Sequence, residues 1–204
     1  GLWIALSMKG ERPSEIVGLA MTMRANAVKL SKPYDGLFDT CGTGGSGANK
    51  FNISTAAAIV AGAAGARVAK HGNRGATSVS GSADVLEAAG LNLSLRADQV
   101  ASTIEEVGVG FMFAPTHHSA MKHVITARRE IGVRTVFNLL GPLTNPASAS
   151  NQVMGVFDPD WIPALLSVFK ELGSNHVLIV SSADGLDEIS SSAATHVGEL
   201  KDGE

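Results

Sequence analysis

Apolar and polar positions repeat with two different periods along the chain, and each change of period marks an element. Ile16, Leu19, Ala20 and Met23 recur at i, i+3, i+4 and i+7 behind Pro13. That spacing predicts an amphipathic helix, with proline in the first turn where a missing N–H costs nothing and Glu15 near its positive end. The apolar start, Gly1 to Met8, also reads as helix, so residues 1 to about 30 are predicted to form two helices. The breaker cluster Ser31-Lys32-Pro33-Tyr34-Asp35-Gly36 ends this region.

Beyond it, short apolar runs at 37–40, 67–69, 110–113, 134–137, 153–157, 176–180 and 195–200 predict strands. Helical stretches are predicted near 54–65, 82–89, 97–107, 117–130 and 160–172. This alternation predicts an α/β fold: a mostly parallel sheet with helices on both faces, ligands at the carboxyl ends of the strands, and a small, truncated helical subdomain in front. The expected division is a partial helical domain over 1–32 and an α/β domain over 33–204.

Composition narrows the function classes. The 204 residues are 45% hydrophobic and 17% charged, which is globular. Sixteen basic against nineteen acidic residues give a net charge of -3, with no basic field for nucleic acid. The longest apolar run, Ala56 to Ala66, is shorter than the ~18 residues a membrane span needs. Cys41 is the single cysteine, so no intramolecular disulfide forms and a reducing cytoplasm is expected. The sequence opens inside a helix without Met and closes on the turn Asp202-Gly203-Glu204. It is therefore expected to be part of a longer chain.

The 23 glycines are bunched. Gly42-Thr43-Gly44-Gly45-Ser46-Gly47 follows a predicted strand and leads through Asn52-Ile53-Ser54-Thr55 into an alanine-rich helix. Such a loop lets backbone N–H groups and a helix N-terminus cradle a phosphate. The nucleoside-triphosphate loop is excluded, because Ala48-Asn49-Lys50 stands where Gly-Lys-Ser/Thr is required. A dinucleotide site lacks its acidic residue, since no Asp or Glu occurs between Asp39 and Asp84. Lys70-His71-Gly72-Asn73-Arg74, expected as a loop after the next strand, suits an anionic ligand with hydrogen-bonding edges. Arg128, in the basic stretch that also holds His117, His118, Lys122 and His123, suits a carboxylate. Asp184-Gly185-Leu186-Asp187-Glu188 suits Mg2+ bridging to phosphates. Cys41 reads as a buried strand-end thiol rather than a nucleophile.

With these segments, together with Gly81-Ser82-Ala83-Asp84-Val85-Leu86-Glu87 and Phe137-Asn138-Leu139-Leu140-Gly141-Pro142-Leu143-Thr144-Asn145-Pro146, the chain resembles the anthranilate phosphoribosyltransferases. These tryptophan-pathway enzymes share a family with the pyrimidine nucleoside phosphorylases. The resemblance implies transfer of a 5-phosphoribosyl group from phosphoribosyl pyrophosphate (PRPP) to the amine of anthranilate, with Mg2+ as cofactor, in a homodimer that binds neither nucleic acid nor membrane. It implies that Gly42, Gly45, Asn52, Ser54, Thr55, Lys70 and Ser82 hold PRPP. Ser46, Lys50, Ile53 and Ser78, in the same segments, join that expected set. Ser54, Asp187 and Glu188 would hold Mg2+. Gly42, His71, Asn73 and Arg128 would hold anthranilate, with Lys70 and Arg128 as the catalytic pair. The chain departs from the family pattern at Ser46 (usually Asp), Lys50 (usually Thr), Ser119 (often Pro) and Ser181-Ser182-Ala183 (usually ending His-Gly). Those departures leave two rival readings: a non-catalytic or altered-specificity homologue that binds phosphorylated ligands, and a nucleoside phosphorylase.

Overall fold

The computed structural model describes residues 1–44, 51–75 and 79–204, with Arg129 by its backbone only. Two helices come first, α1 (Leu2–Lys9) and α2 (Pro13–Ala25). Glu15 accepts the backbone N–H of Arg12 at 2.9 Å, closing the start of α2. The predicted stripe holds: Ile16 and Ala20 are fully buried, and Leu19 and Met23 lie against the same core.

The α/β part runs β1 (Phe38–Gly42), α3 (Ile53–Ala63), β2 (Val68–Gly72), α4 (Ser82–Ala88), α5 (Ala97–Val107), β3 (Val109–Phe113), α6 (Ala114–His117), a 3-10 turn (Ser119–His123), α7 (Ile125–Ile131), α8 (Val136–Leu143), β4 (Asn151–Gly155), α9 (Trp161–Glu171), β5 (His176–Ser182) and β6 (Thr195–Lys201). The six strands form one sheet in the order β3-β2-β1-β4-β5-β6, parallel except for β6, which runs antiparallel to β5. Helices cover both faces. Neighbouring strand residues point to opposite sides, and Phe111 packs with Ala83 and Leu86 of α4 while Met112 packs with Val100 and Ile104 of α5. The largest apolar cluster joins α2, α8 and α9 to β4, β5 and β6, with Phe169, Leu165, Met154 and Ile179 fully enclosed.

Three local expectations are corrected. The apolar run at 134–137 is not a strand but the start of α8. Val136, Leu139, Leu140 and Leu143 are all buried at i, i+3, i+4 and i+7, so the helical period overrides the short run. Thr135 precedes this helix, and its N–H is taken by the side chain of Asn138 at 3.1 Å.

The expected helix at 117–130 is broken into α6, the 3-10 turn and α7. The carbonyl of His117 accepts the N–H of Val28 at 2.8 Å instead of serving the next helical turn, and His118 leaves helical geometry. His117 Nδ1 also donates to the Val28 carbonyl at 3.1 Å, so this reciprocal clip ties the connector after α2 to the end of α6. Thirdly, Lys70 and His71 belong to β2 itself rather than to a loop after it, because both are buried and both continue the pairing with β3, Lys70 opposite Phe111 and His71 opposite Met112.

Candidate functional site

At β1 the strand order reverses direction, with β2 on one side and β4 on the other, and ligands of open α/β sheets bind outside such a crossing point. A cavity of about 910 Å³ opens there, lined from the ends of β1 and β2, from the segment after β5, from the start of α3 and from α7 and α8. It brings together Gly42, Asn52, Ile53, Ser54, Thr55, Lys70, His71, Asn73, Ser82, Arg128, Asp187 and Glu188, which the sequence had placed in one site. Gly45, Ser46, Lys50 and Ser78 lie outside the described residues, as do Gly47, Ala48 and Asn49.

The phosphate side is built around α3. Ile53, Ser54 and Thr55 form its first turn, whose N–H groups and partial positive charge face the cavity. The Asn52 amide exchanges hydrogen bonds with Ser80, donating to its carbonyl at 3.3 Å and accepting from its hydroxyl at 3.2 Å. That pair holds the segment before α4 against the start of α3. One carboxylate then fixes both ends of residues 75–81: Asp84 Oδ2 accepts the N–H of Gly75 at 2.8 Å and of Gly81 at 2.7 Å. Arg74, expected among the ligand-binding cations, is spent on Asp84 and, through two bonds, on Glu87.

Lys70 rises from the middle of β2 with its ammonium on the carbonyl and hydroxyl of Thr40. Burial lowers its pKa, and the carboxylates of Asp39 and Glu188 oppose that shift. The hydroxyl of Ser54 donates to Glu188 Oε1 at 3.0 Å. Asp187 is buried beside them because positions 42 and 155 carry no side chain: a Cβ at Gly155 would collide with the Asp187 carbonyl, and one at Gly42 would stand 3.0 Å from its Oδ2. The result is a hydroxyl and two carboxylates near the helix start. Among the described residues no group of three His, Cys, Asp or Glu side chains is placed to cage a metal. This donor set fits a hard cation that keeps water and phosphate oxygens as its other ligands.

The opposite wall is aromatic and cationic. Arg128 lies over the Phe137 ring, 5.0 Å from its centroid, with Met23, Met121, Ile125 and Pro142 around them. His71 and His118 meet edge to face at 4.9 Å. The carbonyl of Gly141 holds His71 and that of Thr144 holds His118. In both rings Nε2 is buried with no partner among the described residues, which leaves it an acceptor for a ligand hydrogen. Burial pushes the His71 pKa down to about 3, so this imidazole is neutral at ordinary pH.

Sequence reading named His118 only as part of the basic stretch and gave no site role to Met23 or Asn138. The signal for His118 was its place ten residues before Arg128 in the same basic stretch. Cys41, expected as a buried thiol, is half-buried at the end of β1 and lines the cavity; burial raises its pKa well above the ordinary value, and Gln152 donates to its sulfur at 3.1 Å.

A family model described as "Glycosyl transferase family, a/b domain" matches residues 34–204. The chain belongs to this glycosyl transferase family. Within it the chain is similar to anthranilate phosphoribosyltransferases, being 61% identical over 203 residues to that of Hahella chejuensis and 59% identical over 204 residues to that of Cellvibrio japonicus. Each alignment covers 100% of this chain but 59% and 60% of the relative, so the chain spans about three fifths of the length of these curated relatives. Among solved structures of the family, the Thermus thermophilus anthranilate phosphoribosyltransferase superposes with a TM-score of 0.87 at 45% identity, over 98% of this chain and 62% of that one. The Saccharomyces cerevisiae enzyme in complex with PRPP and Mg gives 0.85 at 30% identity, over 98% and 58%.

Proposed function

We propose that the intact protein carrying this chain is an Mg2+-dependent anthranilate phosphoribosyltransferase acting in tryptophan biosynthesis. The observation that carries this reading is the division of one cavity into a phosphate half, with Lys70 and the start of α3, and an aromatic half, with Arg128 over Phe137. The names of the similar proteins support the same substrates.

In this reading PRPP lies with its phosphates over Gly42 and the first turn of α3, between Lys70 and Ser82. Gly45, Ser46, Lys50 and Ser78 complete its binding set. Ser54, Asp187 and Glu188 hold Mg2+, which when bound supplies charge neutralisation to the pyrophosphate. Arg128 takes the anthranilate carboxylate, while Asn73 and His71 face its amine edge beside Gly42. The bond from the ribose anomeric carbon to pyrophosphate breaks, the bond to the amine nitrogen forms, and the amine proton leaves late. The fixed cation Lys70 and the helix N–H groups stabilise charge growing on the leaving group, so the chain contributes chiefly position and electrostatics. We also infer a helical domain beginning before residue 1 and ending near 32, an α/β domain from 33 continuing past 204, a homodimer, and a cytoplasmic location. No described helix is long and apolar enough to cross a membrane.

The test is the loss of anthranilate fluorescence when PRPP and Mg2+ are added to the intact protein. Steady consumption with pyrophosphate release is expected. No consumption overturns the reading, and release of free base from a pyrimidine nucleoside on adding phosphate would replace it with a phosphorylase. Asp187→Ala with Glu188→Ala is expected to abolish the response to Mg2+. An unchanged metal titration removes these carboxylates from the metal site.

A further inference from the structure

The ladder between β1 and β2 is interrupted where the cavity begins. Among the described residues these strands pair only at Phe38 opposite Val68, whereas β1 pairs with β4 at every position from Phe38 to Gly42. Side chains replace the missing bonds. The Ala69 carbonyl accepts Asn145 Nδ2 at 2.8 Å, the His71 N–H donates to Asp39 Oδ1 at 3.2 Å, and the Thr40 carbonyl accepts the Lys70 ammonium.

Asp39 and Asn145 also bond each other, Nδ2 to Oδ2 at 2.7 Å, and Asn145 Oδ1 accepts the N–H of Ala147 at 2.8 Å. Both are enclosed, at 0% and 2% exposure, and neither lines the cavity. A plain parallel ladder would satisfy the same backbone groups without burying a carboxylate and an amide, which is costly unless every polar atom is paired. The arrangement therefore does something a ladder would not: it spaces β2 from β1 and sets where Lys70 and His71 stand.

We propose that Asp39 and Asn145 form a positioning clamp, acting through the backbone of β2 to place the Lys70 ammonium and the His71 ring at the reacting centre. This rests on the transferase reading above. The clamp touches no substrate, and Arg128, on another element, takes the charged carboxylate of anthranilate; loss of the clamp therefore acts through Lys70 and the amine-facing edge of His71, on turnover more than on anthranilate affinity.

The experiment compares Asn145→Ala, Asn145→Asp, and the exchange Asp39→Asn with Asn145→Asp, in the intact protein, by kcat, both KM values and thermal midpoint. In Asn145→Ala and Asn145→Asp, kcat is expected to fall by about tenfold to a hundredfold, the cost of misplaced reacting groups. Anthranilate KM is expected to stay within about threefold. The exchange rebuilds an Asn–Asp bond in the reverse sense and is expected to recover part of the lost kcat. A lowered midpoint with kcat unchanged per folded molecule overturns the proposal, as does an exchange no better than Asn145→Asp alone.

If the unaltered protein does not consume anthranilate, the transferase reading fails by itself. The clamp is then read from calorimetric binding of inorganic pyrophosphate with Mg2+. Weakening by about tenfold in Asn145→Asp supports it, and equal affinity overturns it.

Discussion

The two halves of the sheet are joined by different means. From β1 across β4 and β5 to β6 the ladder is continuous and the layer against it is apolar, with Met154, Val177, Ile179 and Leu200 packed on Leu165, Val168 and Phe169. From β1 to β2 the ladder gives way to Asp39, Lys70 and Asn145, with two imidazoles alongside. One half holds itself together chiefly by apolar burial and backbone bonding. The other gives up backbone bonds to keep ionisable groups inside the protein at fixed places. Stability and chemistry are thus separated along one sheet, and the contrast can be tested from either side.

The largest effect is expected on the apolar side. Phe169→Ala should cost ~3–5 kcal/mol of unfolding free energy by denaturant titration, with both KM values unchanged in the folded protein. A KM shift there would mean that the halves are not separate. On the polar side, Lys70→Ala should lower kcat/KM for PRPP by about a hundredfold to a thousandfold, the usual cost of losing one fixed group that stabilises a developing anion. Stopped-flow fluorescence checks this, and a loss below about tenfold would deny Lys70 a catalytic part.

Arg128→Ala should raise the anthranilate KM by the equivalent of ~1.5–3 kcal/mol while leaving the PRPP KM alone. Equal changes in both would place Arg128 between the substrates rather than on one of them. The last effect is a pH slope. His71 has its folded pKa pushed down to about 3 from 6.5, so the unfolded chain binds its proton first as pH falls. Stability should therefore be whole above pH 6.5 and be lost progressively toward about 3. His71→Gln should flatten that slope in acid unfolding curves, and an unaltered slope would assign it to other groups.

Much of this was legible in the sequence wherever one signal acted alone. The stripe at Ile16, Leu19, Ala20 and Met23 and the short apolar run at 37–40 each had one reading, as a helix and as a strand. Sequence failed where two signals overlapped. The run 134–137 has apolar residues fit for a strand, but the helical period emerges only when Leu139, Leu140 and Leu143 are counted with Val136. In 117–130 the break depends on a carbonyl taken by Val28, 89 residues earlier in the chain, which no local pattern records. The described candidate residues line one cavity, and they stood out in the sequence because glycine loops and charged strand ends are local features. The clamp was not, because Asp39 and Asn145 are 106 positions apart and each looks unremarkable among its own neighbours.

Asp84 has a consequence for how this protein can vary. One carboxylate on α4 receives the N–H groups of both Gly75 and Gly81, so the two ends of that segment are anchored together through their backbone. Closing a loop of a different length costs only a slowly rising entropy once its ends are held. Exchange of Asp84 itself would therefore free both ends at once, releasing that entropy and unsettling the edge of the cavity that Ser80, Gly81 and Ser82 line.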